Sequence, residues 1–472
     1  MTQRPANPGP AAPMASTPNA SSSQTAVADP VPASDASQPP APVRGSDSAP
    51  SDASLKVCIL GNNASLKFGG EGVICWYFFK YLRERGVDAH LVVHGRTRLE
   101  LLDGFPADQD RIHTIPDSPL DRYLHRLGWR LGGKIDAQTL GILRHYLTQL
   151  RQRRVIRELI RQGKVNLLHE VVPIAPKQIS AMYGLGIPVV MGPLSGGMTF
   201  PPAFSFMESR AARIVERVGR AMSHLLQLLI PGRRRAQALI IANEQTRKAL
   251  PWGTRGTLYY MPETGVDLHV WDGGRTPMND NQIRFVYLGR LSDWKGVTFL
   301  VEAFALVAPK APGAHLHIIG DGEERAALEA QTDRLHLRDR ITFHGYLLPH
   351  QSAPLLRQAD AMVLPSLHES GGIVVLEAMA IGIPVIATQW GGPAVHVTDD
   401  TGIRVAPTTR QAFVQGLADA MLRVAASPDL RQRMGDAGRR RIKEACYDWG
   451  GRIDRVLQIY AQTRAAGKSE SR

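Results

Sequence analysis

Residues 361–387 read AMVLPSLHESGGIVVLEAMAIGIPVIA. Ala361–Leu364 is a short apolar run of the length expected for a buried strand. Ser370-Gly371-Gly372 interrupts it. Gly372–Ile381 then reads as an apolar helix, and Pro384–Ala387 as a second strand. Strand, glycine turn, helix and strand make a parallel βαβ unit, because two parallel neighbours need a crossover of about this length. The flanking sequence repeats the pattern. Strands are expected at Arg284–Leu288, Leu316–Ile319 and Ile341–His344, and helices at Val297–Ala308, Glu323–Asp333, His350–Gln358 and Arg410–Ala425.

The half before it follows the same plan. Lys56–Gly61 (KVCILG) is a strand, Glu71–Arg85 a helix closed by Gly86, and Ala89–His94 the next strand. Further strands are expected at Val165–His169, Pro188–Gly192 and Ala238–Ala242. No run of hairpins interrupts either half. The fold class is therefore α/β, with two doubly wound Rossmann-like domains facing a cleft. The boundary falls near Gly265–Asn281, where Gly, Asp and Asn cluster. The expected domains are 55–270 and 271–447, followed by a helix over 448–465.

Residues 1–54 contain 11 Pro, 10 Ser and 12 Ala, with no Leu, Ile or aromatic residue. Such a segment buries too little apolar surface to offset its ordering entropy, so a disordered tail is expected. Three cysteines, with no CxxC pair, offer neither a disulfide framework nor a zinc site. The start, MTQRPANPGP, lacks a signal-peptide profile, and no apolar run reaches the roughly 18 residues that span a bilayer. A cytoplasmic location is the expectation.

The formal charge of +13 is unevenly placed. Residues 1–54 carry −2, residues 55–260 carry +15, and residues 261–472 are neutral with 24 basic and 24 acidic groups. The excess concentrates in 122–161 and 210–235, the latter holding Arg233–Arg235 beside the apolar patch His224–Ile230. Basic and apolar residues together suit an anionic membrane surface. Nucleic acid fits poorly, since aromatic platforms are not interleaved with the charge.

In doubly wound sheets ligands meet the loops after the strands. Four such loops carry chemistry. Glu369 and Glu377 flank Gly371 and Gly372, which open a helix. Glycines that admit close approach, with the positive end of a helix behind them, form a phosphate cradle. An eight-residue helical span covers about 12 Å, wider than the roughly 5–9.5 Å between paired glycosidase carboxylates, so the glutamates suit hydroxyls at opposite ends of a long ligand. Arg290 and Lys295, in VYLGRLSDWKG (286–296), are two cations suited to the charge of a departing diphosphate. Gly69 and Gly70 precede the first helix and could meet the same diphosphate from the other domain. His169 ends a strand and is expected to face the cleft. IIGDGEE (318–324) reads as a tight strand-to-helix turn, and GPLSGGMTFPP (192–202) as a loop able to shape an acceptor pocket.

Together these motifs resemble the family 4 glycosyltransferases of the GT-B fold. Glu369 and Glu377 match E-x7-E, Gly289-Arg290 and Lys295-Gly296 match GR and KG, and Gly320-Asp321-Gly322 matches GDG. Pro384–Thr388 and Gly391–Pro393 match PVIAT and GGP. The resemblance implies retaining transfer from a nucleotide-diphosphate sugar to a glycan or lipid-linked acceptor, with no obligatory metal or cofactor. It implies that Glu369 contacts the donor sugar and Glu377 the ribose. Arg290, Lys295 and the amides around Gly372 and Ile373 would hold the diphosphate, and Leu347 would border the base. His169 would lie near the donor sugar and Gly69 and Gly70 in the first-domain glycine loop. The helix Trp449–Thr463 would cross back onto the first domain. Two departures stand out: Glu369-Ser370-Gly371-Gly372 where many members have E-G-F-G, and Thr264-Gly265-Val266-Asp267 where many have N-G-V-D. Rival readings are a nucleotide-sugar epimerase, a sugar-phosphate synthase, or a scaffold without turnover.

Overall fold

The computed structural model describes residues 54–67, 71–131, 140–208, 219, 222–263, 265–276, 278 and 280–469. The expected disordered tail, apart from Ser54, and Gly69 and Gly70 lie outside them.

Two parallel sheets organise the chain. The first holds β1 (Lys56–Leu60), β2 (Asp88–His94), β3 (Ile112–Ile115), β4 (Leu167–Glu170), β5 (Val189–Leu194), β6 (Ala238–Ile241) and β7 (Thr257–Tyr260), in the order β3-β2-β1-β4-β5-β6-β7. The second holds β8 (Ile283–Leu288), β9 (Ala314–Ile319), β10 (Ile341–Gly345), β11 (Ala361–Leu364), β12 (Val385–Thr388) and β13 (Gly402–Val405), in the order β10-β9-β8-β11-β12-β13. Strand order reverses between β1 and β4 and between β8 and β11. Those reversals open the crevices in which α/β proteins bind ligands.

The central strands are continuous apolar runs because helices cover both faces; β11 and β12 are buried at every position. β3, β7 and β13 were not expected from sequence. Each has exposed or half-buried positions, β7 in the pattern exposed, half-buried, half-buried, exposed. Outer strands so short and mixed leave no apolar run to recognise.

The chain crosses between the lobes twice. It leaves β7 at Tyr260 and enters β8 at Ile283. It returns through the helix Trp449–Ser469. The two crossings touch, with Val266 N–H donating to Tyr447 O at 2.8 Å. Trp449, Ile453, Val456, Ile459 and Tyr460 join the first-lobe core beside the helix Glu71–Glu84. The Trp449 ring stacks on Tyr77 with centroids 4.9 Å apart and meets Phe78 edge-on. The C-terminal helix thus packs on the first lobe.

A third tie comes from the segment after β5. Its short 3-10 helix Pro202–Met207 inserts Phe204, fully buried, into the second-lobe core against Phe299 and Phe413, at 5.4 and 5.8 Å. A first-lobe loop is therefore anchored in the other lobe.

Candidate donor-binding cleft

A cleft of about 480 Å³ lies between the lobes. Gly196–Phe200 and Glu208 form its first-lobe wall, and Trp294, Lys295 and His368–Ser370 form the other. The GPLSGGMTFPP loop therefore faces the loop after β11.

The second-lobe wall is built by two turns. Gly296 adopts φ +70° and caps the helix Val297–Val307; a Cβ there would collide with Pro365 O, so the KG glycine lets the β8 loop sit against the β11 loop. Gly372 adopts φ +64° and opens the helix Ile373–Ile381. Lys295 then reaches Glu369: its Nζ donates to Glu369 Oε2. The other oxygen, Oε1, accepts from Gly372 N–H at 3.2 Å. In the free protein one carboxylate thus occupies both the cation and the turn amide that the sequence assigns to a diphosphate. The positive helix end behind Gly372 adds to that attraction.

Glu377 lies on the second turn of the same helix, buried, and burial pushes its carboxyl up to about 8. Ile373 is half-buried at the helix start. Leu347, after β10, packs its partly buried side chain against the second-lobe core.

Arg290 does not converge with Lys295. Its guanidinium is exposed and pairs with Glu323 Oε2 at 3.1 Å, outside the residues that line the cleft. Sequence reasoning placed both cations on one ligand because both follow β8. It could not see that GDGEE supplies a closer carboxylate. Gly320 and Gly322 bring that turn against β8, since a Cβ on either would collide with Gly289 O or Leu291 O.

His169 requires a correction too. Expected to face the cleft, it is fully buried in β4. Nε2 lies 2.7 Å from Gly192 O and Nδ1 lies 2.6 Å from Tyr460 Oη. A carbonyl only accepts, so Nε2 carries the proton and Nδ1 accepts from the tyrosine hydroxyl. Burial pushes the imidazole down to about 3. In this conformation the ring fastens the C-terminal helix to the first sheet. Its neighbour Glu170 is equally buried, taking hydrogen bonds from Gln149 and Ser180.

Sequence reasoning missed several groups around the cleft. Trp390 donates to Thr199 O at 2.7 Å, and Phe200 packs against His368 with ring centroids 5.1 Å apart. Both contacts tie the first-lobe loop to the second lobe. Glu263, in the first crossing, is buried and accepts from Ser370 Oγ at 3.2 Å. No spacing motif marks it.

The basic stretches are only partly free surface. Arg151 pairs with Asp121, and Arg233 is fully buried, donating to Gln178 O and Pro173 O. Arg122, Arg126, Arg154, Arg157 and Arg235 are exposed. Among the described residues no helix is long and apolar enough to cross a membrane.

Two doubly wound lobes around a cleft with a glycine turn define the GT-B class, and solved structures of similar architecture agree. Sucrose-phosphate synthase from Thermosynechococcus elongatus superposes with a TM-score of 0.59 at 20% identity, over 87% of this chain and 100% of that one. Anabaena Alr3699/HepE, solved in complex with UDP, gives 0.59 at 18% identity over the same shares. At such identities these matches concern the fold. Residues 274–441 match the family model "Glycosyl transferases group 1", so the second lobe is a domain of that family. Among curated proteins, glycogen synthase of Mycobacterium tuberculosis is 32% identical over 197 residues, 42% of this chain and 46% of that protein. Alpha-D-kanosaminyltransferase of Streptomyces kanamyceticus is 32% identical over 184 residues, 39% and 46% respectively. The matched region spans less than half the length of these relatives.

Proposed function

We propose that this protein is a retaining glycosyltransferase. It moves a sugar from a nucleotide-diphosphate sugar to a glycan or lipid-linked acceptor, in cell-surface polysaccharide or glycolipid synthesis. One observation carries the reading: Lys295 and Glu369 meet on one wall of a cleft whose opposite wall is a loop of the other lobe, and Glu369 also accepts from the Gly372 amide behind that wall. The group 1 match of the second lobe and the UDP held by a protein of the same fold support it.

The mechanism follows from the residues. The donor diphosphate takes Lys295 and the Gly372 amide from Glu369, and the released carboxylate turns to the sugar hydroxyls. As the glycosidic bond breaks, the ammonium and the turn amides stabilise the negative charge on the leaving diphosphate, where charge develops most. Arg290 adds to this by leaving Glu323, a cheap exchange for an exposed pair. The acceptor hydroxyl attacks from the departing face and passes its proton to the leaving diphosphate oxygen, which retains configuration. Glu377 binds the ribose end, and Leu347 borders the base.

The acceptor side is proposed to work at the cytoplasmic face of an anionic membrane. The helix Pro119–Leu131 exposes Leu120, Tyr123 and Leu127 beside the exposed Arg122 and Arg126. Met222, Leu225 and Leu229 repeat that i, i+3, i+7 spacing, and all three are exposed. Apolar stripes flanked by arginine suit the headgroup region of such a membrane.

The test is transfer from a panel of radiolabelled nucleotide sugars to extracted lipid and glycan acceptors, with the product anomer read by NMR. Transfer with retention is expected; an inverted product, or donor turnover indifferent to every acceptor, contradicts the proposal. Sedimentation with vesicles of neutral and of anionic lipid tests the membrane part, with recovery expected on the anionic ones only.

A further inference from the structure

The two departures from the E-G-F-G pattern meet at one buried carboxyl. Glu263 lies in the crossing between the lobes and is 6% exposed. Its Oε1 accepts the Ser370 hydroxyl at 3.2 Å. The same oxygen fills the space where residue 371 would carry a side chain, since a Cβ on Gly371 would collide with it. Ser370 therefore adds a hydroxyl that Glu263 accepts, and Gly371 removes the atoms that Glu263 would strike.

The surroundings are built for that carboxylate. Arg452, fully buried on the returning helix, donates to Pro262 O and lies over the Trp449 ring at 5.3 Å. Its Nε and Nη1 have no hydrogen-bond partner among the described residues; burial lowers the guanidinium to about 10, and the Glu263 charge opposes that shift. Burial raises the Glu263 carboxyl above its ordinary range, and the Ser370 hydroxyl opposes that rise. From the far side of the turn, His396 Nε2 binds Gly371 O at 2.7 Å. The turn is thus held below by Glu263 at Ser370 and behind by His396 at Gly371, two residues and one residue from the Gly372 amide.

We infer that Glu263 is a positioning residue for the donor diphosphate: through Ser370 it fixes the turn that aims the Gly372 amide and Glu369 into the cleft. The inference rests on the donor-binding reading of that cleft. Its role is indirect, acting through the hydroxyl of Ser370, and it couples the interlobe crossing to the phosphate-binding turn.

The test uses the full chain with Ser370→Ala, Glu263→Ala, the double variant, and Glu263→Gln, which keeps an acceptor oxygen. Amide hydrogen exchange over residues 369–373 is read in the free protein, and UDP affinity by calorimetry. Ser370→Ala and Glu263→Ala should each speed exchange in that segment and weaken UDP at least fivefold. The double variant should be no weaker than the worse single, since both remove one hydrogen bond. Glu263→Gln should stay within twofold of wild type for UDP, a rescue that a merely structural role would not produce. If Glu263→Ala does not fold, Ser370→Ala decides alone, because Ser370 is only half-buried and the change removes no more than its hydroxyl. Unchanged exchange and UDP affinity in Ser370→Ala, or multiplying effects in the double variant, overturns the assignment. A wild-type protein that binds no nucleoside diphosphate overturns the donor reading instead, and the exchange comparison still decides whether Glu263 holds the turn.

Discussion

Glu369 bridges Lys295 and the amide of Gly372 with its two oxygens. In the proposed reaction this carboxylate holds the groups assigned to the diphosphate until the donor takes them. Removing the bridge should separate binding from transfer. Glu369→Gln is expected to bind UDP as tightly as wild type or several-fold tighter, because the competing anion is gone. Transfer should fall at least about 100-fold, the scale of losing one aligned transition-state contact. Calorimetry with UDP and initial rates with the donor sugar check the two halves. Weaker UDP binding in Glu369→Gln would mean that the bridge is not a competitor.

Glu377 supplies a protonation signature. Burial raises its carboxyl from the ordinary 4.5 to about 8, so at pH 7 it is mostly protonated in the free protein. Binding a ribose through the carboxylate requires that proton to leave. UDP binding at pH 7 should therefore release a fraction of a proton approaching one, measured by calorimetry in buffers of different ionisation enthalpy. Glu377→Gln should abolish that release. Equal release in both proteins would remove Glu377 from the nucleotide site.

The fold and the glycine turn were legible because each leaves a local trace. Apolar runs of four to six residues marked the central strands, and Gly371-Gly372 before an apolar helix marked the turn. What escaped was fixed by partners distant in sequence. His169 ends a strand, as a cleft residue would, yet Tyr460, 291 residues away, covers it. Arg290 follows β8 as Lys295 does, yet Glu323 meets it first. Glu263 bonds a serine 107 residues later.

His169 should be dispensable for the donor and needed for stability. His169→Ala leaves the Tyr460 hydroxyl and the Gly192 carbonyl unpaired, a loss of about 1–3 kcal/mol for each buried group left unsatisfied. Chemical denaturation should show this, with UDP affinity unchanged. A loss of UDP affinity without a loss of stability would restore the histidine to the cleft.

The same histidine predicts a direction with pH. Its folded value, about 3, lies below the ordinary 6.5, so the unfolded chain binds the proton first. Its contribution is present above about pH 6.5 and is lost as pH falls toward 3. His145 and His396, buried and pushed down to about 4, act in the same sense. Denaturation midpoints should drop between pH 6.5 and 4, and less steeply in His169→Asn. A midpoint that rises over this window would contradict the burial argument.

Phe204 anchors a first-lobe loop in the second-lobe core. Phe204→Ala should cost about 3–5 kcal/mol, as buried phenylalanine truncations do. It should also speed hydrogen exchange across 196–207, the wall facing Lys295. Calorimetric unfolding and exchange measure both; a neutral substitution would show that the anchor does not hold the loop.

The central claim is that Lys295 and the glycine turn grip a pyrophosphate. Calorimetric titration of wild type and Lys295→Ala with UDP and with uridine tests it most directly. The account predicts that Lys295→Ala weakens UDP at least tenfold and leaves uridine unchanged. Equal UDP affinity in the two proteins would contradict it.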